Sequence, residues 1–259
     1  MQVLVIDSGL RNLDALRAAL SICDVSSISY VPAVFIDQTQ PLLTREVDLL
    51  RAKLLLGREM SPAEVGCALA HNKARRLASS SSDFTLILED DAIVPDPVLL
   101  REMLEHVSRT SSVKSNVVIN LGINRAWIPG PNNNRSRSKL RRTIGSSPLA
   151  LAYIVTPVSS NELLQANTPV QYLSDWPPAS VTWLRAIRPL IFHGMGANRS
   201  LISQNQGKER SQETFRFKLF RYFLIEYVIE RSKYRGFGDF FRSAWLPRVR
   251  SLITHKTGF

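Results

Sequence analysis

The chain has 259 residues, with 33 Lys+Arg against 22 Asp+Glu and a formal net charge of +11. Hydrophobic residues make up 44%, so a wholly disordered chain is excluded, and this length buries roughly 70–75% of its unfolded surface. Two cysteines, Cys23 and Cys67, exclude a disulfide scaffold and a four-cysteine zinc site, and fit reduced thiols in a cytosolic setting.

The positive charge is uneven. Residues 123–143 carry six basic side chains and no acidic one, and residues 207–259 carry 12 basic and 5 acidic. A near-neutral body with a basic loop and a basic tail implies an anionic partner, such as a nucleotide, a nucleic acid or an anionic membrane surface. No run approaches ~18 consecutive apolar residues, so a spanning helix is not expected. Met1-Gln2-Val3-Leu4-Val5-Ile6-Asp7 lacks a basic stretch before its apolar residues and reads as a core strand, not a signal peptide. The expected location is cytoplasmic.

Taken in order, residues 3–6 form a short apolar strand ending in Asp7. Residues 13–22 carry Leu13, Leu16 and Leu20 at helical spacing. Residues 30–36 are β-branched and aromatic, and residues 43–56 look helical. Ser61-Pro62-Ala63-Glu64 is a helix start, with serine at the N-cap, proline at the first position and glutamate three residues after the serine. That helix should run over residues 62–78. Residues 84–88 read as a buried strand, residues 97–107 as a helix, and 117–121 as another buried strand. The long polar segment 122–147 is too long for an ordinary connection and is expected to be functional or mobile. A strand over 149–155, a short helix over 159–165 and a last strand over 190–193 follow, and from about residue 212 the chain is helical, aromatic and basic. The alternation predicts an α/β domain around a largely parallel sheet, with ligands at the carboxyl ends of its strands. Asp7, Glu89-Asp90-Asp91 and His193 fall at such ends.

Three consecutive carboxylates repel one another unless a cation sits among them. Glu89 and Asp91 are two residues apart, which in extended backbone puts both on one side. Two hard oxygen ligands so placed suit Mg²⁺ or Mn²⁺ carrying a diphosphate. The plain alternative is a solvated acidic turn before the next helix.

Two blocks carry a family resemblance. Arg58-Glu59-Met60-Ser61-Pro62-Ala63-Glu64-Val65-Gly66-Cys67-Ala68-Leu69-Ala70-His71 resembles the R-x-L-(S/T)-x-G-E-I-G-C-x-L-S-H stretch of glycosyltransferase family 25. Leu86-Ile87-Leu88-Glu89-Asp90-Asp91-Ala92 resembles that family's L-I-L-E-D-D-A block. Ala152-Tyr153-Ile154-Val155, Asp175, Ile191-Phe192-His193 and Ser200-Leu201-Ile202 resemble later segments. The resemblance spans about residues 54–203. It departs at Ala63 and Ala70, and Asp7-Ser8-Gly9-Leu10-Arg11 replaces the family's opening N-L-x-R-x-x-R.

The resemblance implies a GT-A-like (Rossmann-like) nucleotide-sugar-binding domain, taken over residues 1–206; the composition of residues 207–259 adds a basic, aromatic-rich helical tail. It implies an inverting, metal-dependent transferase that moves a hexose, expected to be galactose, from a UDP-sugar to a glycolipid or oligosaccharide acceptor of the cell surface. Asp91 and Glu89 are then expected to hold Mn²⁺ or Mg²⁺, with His193 a third ligand or a structural histidine. Asp90 is a candidate for sugar or ribose. Asp175 is a candidate general base for the acceptor hydroxyl, or a helix cap. Arg58 is a candidate for diphosphate or a surface ion pair. Glu64 and His71, seven apart on one helix, share a face and are donor-binding candidates, although Glu64 also fits a capping box. Cys67 is expected in the core, without a nucleophilic role.

The segment 135–142 reads as a lid on the donor or as a solvated loop. The tail alternates Phe, Tyr and Trp with Arg and Lys, the pattern of an interfacial helix that would hold the enzyme on the cytosolic face of a membrane, or of ordinary helices packing on the catalytic domain. Two other readings stay open. One is a nucleic-acid-binding protein using the basic and aromatic residues, which leaves the acidic cluster unexplained. The other is an inactive, membrane-associated family member.

Overall fold

Alternation along the strands sorts their side chains into two cores, one on each face of a sheet. A computed structural model describes residues 1–36, 46–122, 140–143, 150–174 and 179–194. Nine strands and five helices lie among them: β1 (Gln2–Asp7), α1 (Asp14–Ser21), β2 (Ser27–Pro32), α2 (Leu49–Leu56), α3 (Pro62–Ser79), β3 (Thr85–Glu89), β4 (Ala92–Ile93), α4 (Pro97–Thr110), β5 (Val117–Asn120), β6 (Leu140–Arg142), β7 (Ala152–Val155), α5 (Pro157–Ala166), β8 (Thr182–Ala186) and β9 (Phe192–His193). The basic tail and the proposed boundary at residue 206 lie outside the described residues, as do Asp175 and most of the basic loop.

Seven strands form one sheet in the order β2-β1-β3-β7-β5-β8-β6, and β4 and β9 form a separate two-stranded ribbon. Five of the seven run the same way, as the α/β pattern predicts. β7 is reversed and lies between β3 and β5, and β6 is reversed at the edge.

Val3, Val5, Leu86, Leu88, Ile119 and Ile154 pack on one face against Leu16 and Leu20 of α1 and Leu100 and Leu104 of α4. Leu4, Ile6, Ile87, Val118 and Val155 pack on the other, against Ala70, Ala74 and Ala78 of α3 and Leu163 of α5. The result is a helix–sheet–helix sandwich with its strands buried on both faces.

Local signals set several boundaries. Ser61 and Glu64 close a full capping box on α3, with Pro62 in the first turn. Asp96 caps α4 by accepting from Leu99 N at 2.9 Å. α2 starts at Leu49, capped by Asp48, rather than near residue 43, and is closed after Leu56 by Gly57, whose φ of 71° lies in the left-handed region. β4, β6 and β8 were not foreseen. β6 falls inside the polar segment expected as a loop, where it pairs antiparallel with β8 at the edge of the sheet. No helix among the described residues is long and apolar enough to cross a membrane.

Candidate active site

The parallel pairing of β1 and β3, with Ile6 opposite Glu89, brings Asp7 and the acidic cluster to one end of the sheet. Beyond β1 the chain must turn sharply. Gly9 takes φ 69°, and its N–H donates to Asp7 Oδ1 at 2.8 Å. The turn aims Ser8 at the neighbouring strand end, where its N–H donates to Asp90 Oδ2 at 2.8 Å and its hydroxyl donates to the same oxygen. Arg11 then reaches across both aspartates, with Nε 3.2 Å from Asp90 Oδ1 and Nη2 3.5 Å from Asp91 Oδ2. The cation demanded by three adjacent carboxylates is therefore partly supplied by the chain itself.

Asp91 is 8% exposed. Its Oδ2 lies 3.0 Å from His193 Nε2, a contact made by the β4–β9 ribbon, which sets Ala92 opposite His193. The ribbon is extended by Gly194 N, which donates to the Asp91 carbonyl at 2.7 Å. A Cβ on Gly194 would stand 2.9 Å from that carbonyl, so glycine permits the approach. The bond to Asp91 holds the His193 imidazole above its ordinary pKa; burial opposes this, and the Asp91 and Glu89 charges add to it. Asp91 Oδ1 is buried and has no hydrogen-bond partner among the described residues.

Glu89 turns the other way, toward α3. Its Oε1 is 3.0 Å from His71 Nε2 and 4.0 Å from Cys67 Sγ. His71 is fully buried, and its Nδ1 is 2.9 Å from the Tyr153 hydroxyl on β7. Burial pushes the Tyr153 phenol up, against the opposing pull of Arg75. The buried Arg75 guanidinium lies 5.7 Å from the Tyr153 ring centre and donates to the Ser174 carbonyl. Ser174 Oγ in turn stands 3.4 Å from Cys67 Sγ.

At the start of α3, Glu64 is buried and accepts from Arg58 at 2.5 and 2.7 Å and from Ser61 N at 2.9 Å. Burial alone would raise its pKa, but the Arg58 and Ser61 bonds outweigh it and hold the carboxyl below its usual range.

The expected site residues therefore divide. Asp91 joins His193, and Asp90 joins Ser8 and Arg11. Glu89 joins His71 rather than the Asp91–His193 contact. His71 has no exposed surface, and its ring nitrogens meet Glu89 and Tyr153. Arg58 and Glu64 bind each other. Asp175 lies outside the described residues; Ser174, just before it, sits beside Cys67. Cys67 is half-buried and faces the acidic cluster, which corrects its expected place in the core. Its signal was available: Cys67 and His71 are four apart on a helix and share a face. Arg11 and Ser8 gave only the weaker signal of a polar turn directly after the first strand.

Asp91 and His193 fit a hard divalent cation. Their donor atoms are 3.0 Å apart, the separation of adjacent ligands on an octahedral shell of ~2.1 Å radius, and Asp91 Oδ1 is a further unpartnered oxygen.

No family model and no curated protein matches the chain. Among solved structures it is similar to a putative glucose-1-phosphate thymidylyltransferase from Bacillus anthracis, at 11% identity and a TM-score of 0.34 over 62% of this chain and 73% of that one. It is also similar to a UDP-glucose pyrophosphorylase from Acinetobacter baumanii, at 12% identity and a TM-score of 0.40 over 71% and 84%. An inositol-1-phosphate CTP transferase from T. maritima superposes at 12% identity and a TM-score of 0.31 over 72% and 88%. Likenesses this loose define neither a shared fold nor a shared activity.

Proposed function

We propose that the protein is an inverting glycosyltransferase that moves a hexose, galactose in the first instance, from a UDP-sugar to a glycolipid or oligosaccharide acceptor. The observation that carries this reading is Asp91 at the carboxyl ends of β1 and β3: its Oδ2 meets His193 and Arg11, and its Oδ1 is buried without a partner. Strand carboxyl ends in α/β sheets are where nucleotide ligands gather. The family 25 blocks at residues 58–71 and 86–92 support the donor class.

Mn²⁺ or Mg²⁺ would be held by Asp91 and His193, with Glu89 available from the same strand end. When bound, the ion neutralises charge on the departing nucleoside diphosphate. The chain's own residues do the rest. Ser8 and Arg11 fix Asp90, which then presents a carboxylate to ribose or sugar hydroxyls. Arg11 adds positive charge at the place where diphosphate charge develops. Asp175 takes the proton from the acceptor hydroxyl as its oxygen attacks the anomeric carbon and the bond to diphosphate breaks. The basic tail, 207–259, docks the enzyme on an anionic leaflet that carries the acceptor.

Calorimetry of UDP and UDP-hexoses with and without Mn²⁺ tests this on the wild type and on Asp91→Asn. Manganese-dependent binding that the variant loses is the expected result. A wild type that ignores every donor, with or without metal, removes the transferase reading.

A further inference from the structure

The α3 side of the acidic cluster holds a second set of donor atoms, of which the transfer reading calls only on Glu89 as a ligand. Cys67 Sγ, His71 Nε2 and Glu89 Oε1 all lie within 4.8 Å of one another. The His71–Glu89 separation is 3.0 Å and the Cys67–Glu89 separation 4.0 Å. Ligands around tetrahedral zinc, at 2.0–2.3 Å from the ion, stand roughly 3.4–3.8 Å apart. The three atoms therefore reach that spacing by shifts within the range of side-chain rotation. We propose that Cys67, His71 and Glu89 form a binding site for one thiophilic divalent cation, zinc in preference to magnesium or manganese.

Three features favour this. The donor set is mixed: a thiolate and an imidazole select zinc-like ions, whereas the Asp91 side presents carboxylates suited to hard ions. Cys67 and His71 sit four apart on α3, so the helix fixes their relation, and β3 brings the glutamate from a separate element. The imidazole is also oriented from behind. His71 Nδ1 contacts the Tyr153 hydroxyl at 2.9 Å in a buried setting, and a hydroxyl serves equally as donor or acceptor. His71 can thus carry its proton on Nδ1, facing Tyr153, and turn the Nε2 lone pair toward a metal, which is the arrangement of most metal-binding histidines.

Solvent reaches two of the three side chains, since Glu89 is 27% exposed and Cys67 is half-buried. Binding would replace the His71–Glu89 hydrogen bond by two metal bonds and release the Cys67 thiol proton to solvent. Three protein ligands leave a fourth tetrahedral position for water or substrate. An occupied site would commit Glu89 to α3 and leave Asp91 and His193 to the hard ion.

The test uses Co²⁺ as a spectroscopic probe and Zn²⁺ as competitor on the full-length protein, without any nucleotide. One equivalent of Co²⁺ is expected to give a near-ultraviolet thiolate-to-cobalt band that Zn²⁺ removes. Cys67→Ser abolishes the band, Cys23→Ser keeps it, and Asp91→Asn keeps it. Tyr153→Phe weakens Zn²⁺ binding about 10–100-fold by leaving the imidazole without its partner. Thermal unfolding of each metal-free variant verifies that it is folded. Absence of a thiolate band in the wild type, or its survival in Cys67→Ser, overturns the site. Its loss in Asp91→Asn also overturns it, since the ion would then belong to the Asp91–His193 pair. The donor reading stands or falls separately, on UDP-sugar binding.

Discussion

The acidic cluster has two sides, and they are built differently. On the helix side, Glu89 meets His71 and Cys67 on α3, a long helix with a complete capping box whose alanines lie against the sheet. On the loop side, Asp90 and Asp91 meet Ser8, Arg11 and His193, which come from a glycine turn and a two-stranded ribbon. The first side is fixed by packing. The second is held by charge and a few hydrogen bonds around one unpartnered oxygen. The difference teaches that three adjacent residues do not make one site. The strand ends at Glu89 and the chain turns at Asp90 and Asp91, so alternation stops there and Asp91 does not share the side of Glu89.

The loop side should break first in function. Asp91→Asn is expected to lower sugar transfer by roughly 10²–10³-fold, equivalent to several kcal/mol of lost charge stabilisation, with the unfolding midpoint little changed. Radiolabelled transfer and urea denaturation on the same samples measure both. A variant that transfers sugar at the wild-type rate ends the Asp91 assignment.

The helix side should break first in stability. A Cβ on Gly66 would stand 2.0 Å from the Val34 carbonyl oxygen, which is backbone and has no room to give. Gly66→Ala is expected to cost about 3 kcal/mol or more, measured by urea unfolding, because α3 must lift off the segment after β2. A cost below ~1 kcal/mol would mean that α3 is not seated so tightly.

A smaller effect separates the pairing of Glu64 from its capping role. Glu64→Gln keeps hydrogen-bonding atoms but loses the charge, and should cost about 1–2 kcal/mol at pH 7. The folded-state pKa of Glu64 lies below its ordinary value. Its charge therefore contributes stability fully above the unfolded value, near 4.3, and that stability is lost as pH falls through the depressed folded value. The difference between wild type and Glu64→Gln should hold from pH 7 to about 5.5 and shrink below that. A constant difference down to pH 3 would assign the cost to geometry alone.

The smallest effect lies away from both sides. Asp96→Ala removes the α4 cap and should cost about 1 kcal/mol without altering donor binding. A change in UDP-sugar affinity in this variant would show that α4 is coupled to the cluster.

Much of this was legible in the sequence. Leu13, Leu16 and Leu20 at helical spacing announce α1, and Ser61, Pro62 and Glu64 announce the start of α3, because caps and periodicity are local properties. The buried strand that delivers Glu89 is equally plain from its unbroken apolar run. β8 was not legible, since Thr182-Trp183-Leu184-Arg185-Ala186 becomes a strand through its parallel pairing with β5. The partners of the carboxylates were not legible either. Arg11 stands about 80 positions before Asp91 and His193 about 100 after it, and only the neighbouring of β1 and β3 and the β4–β9 ribbon bring them together.

By itself, then, the sequence determined the helices and the central strands β1, β3, β5 and β7, most of the side chains that point to the core, and where acidic chemistry is concentrated. Those properties depend on the nearest few residues and on alternation. The tertiary structure alone decided that Glu89 belongs with Cys67, His71 and Tyr153, and Asp91 with Arg11 and His193. Such pairings follow from the strand order, and strand order is set by how the two cores close rather than by any local pattern.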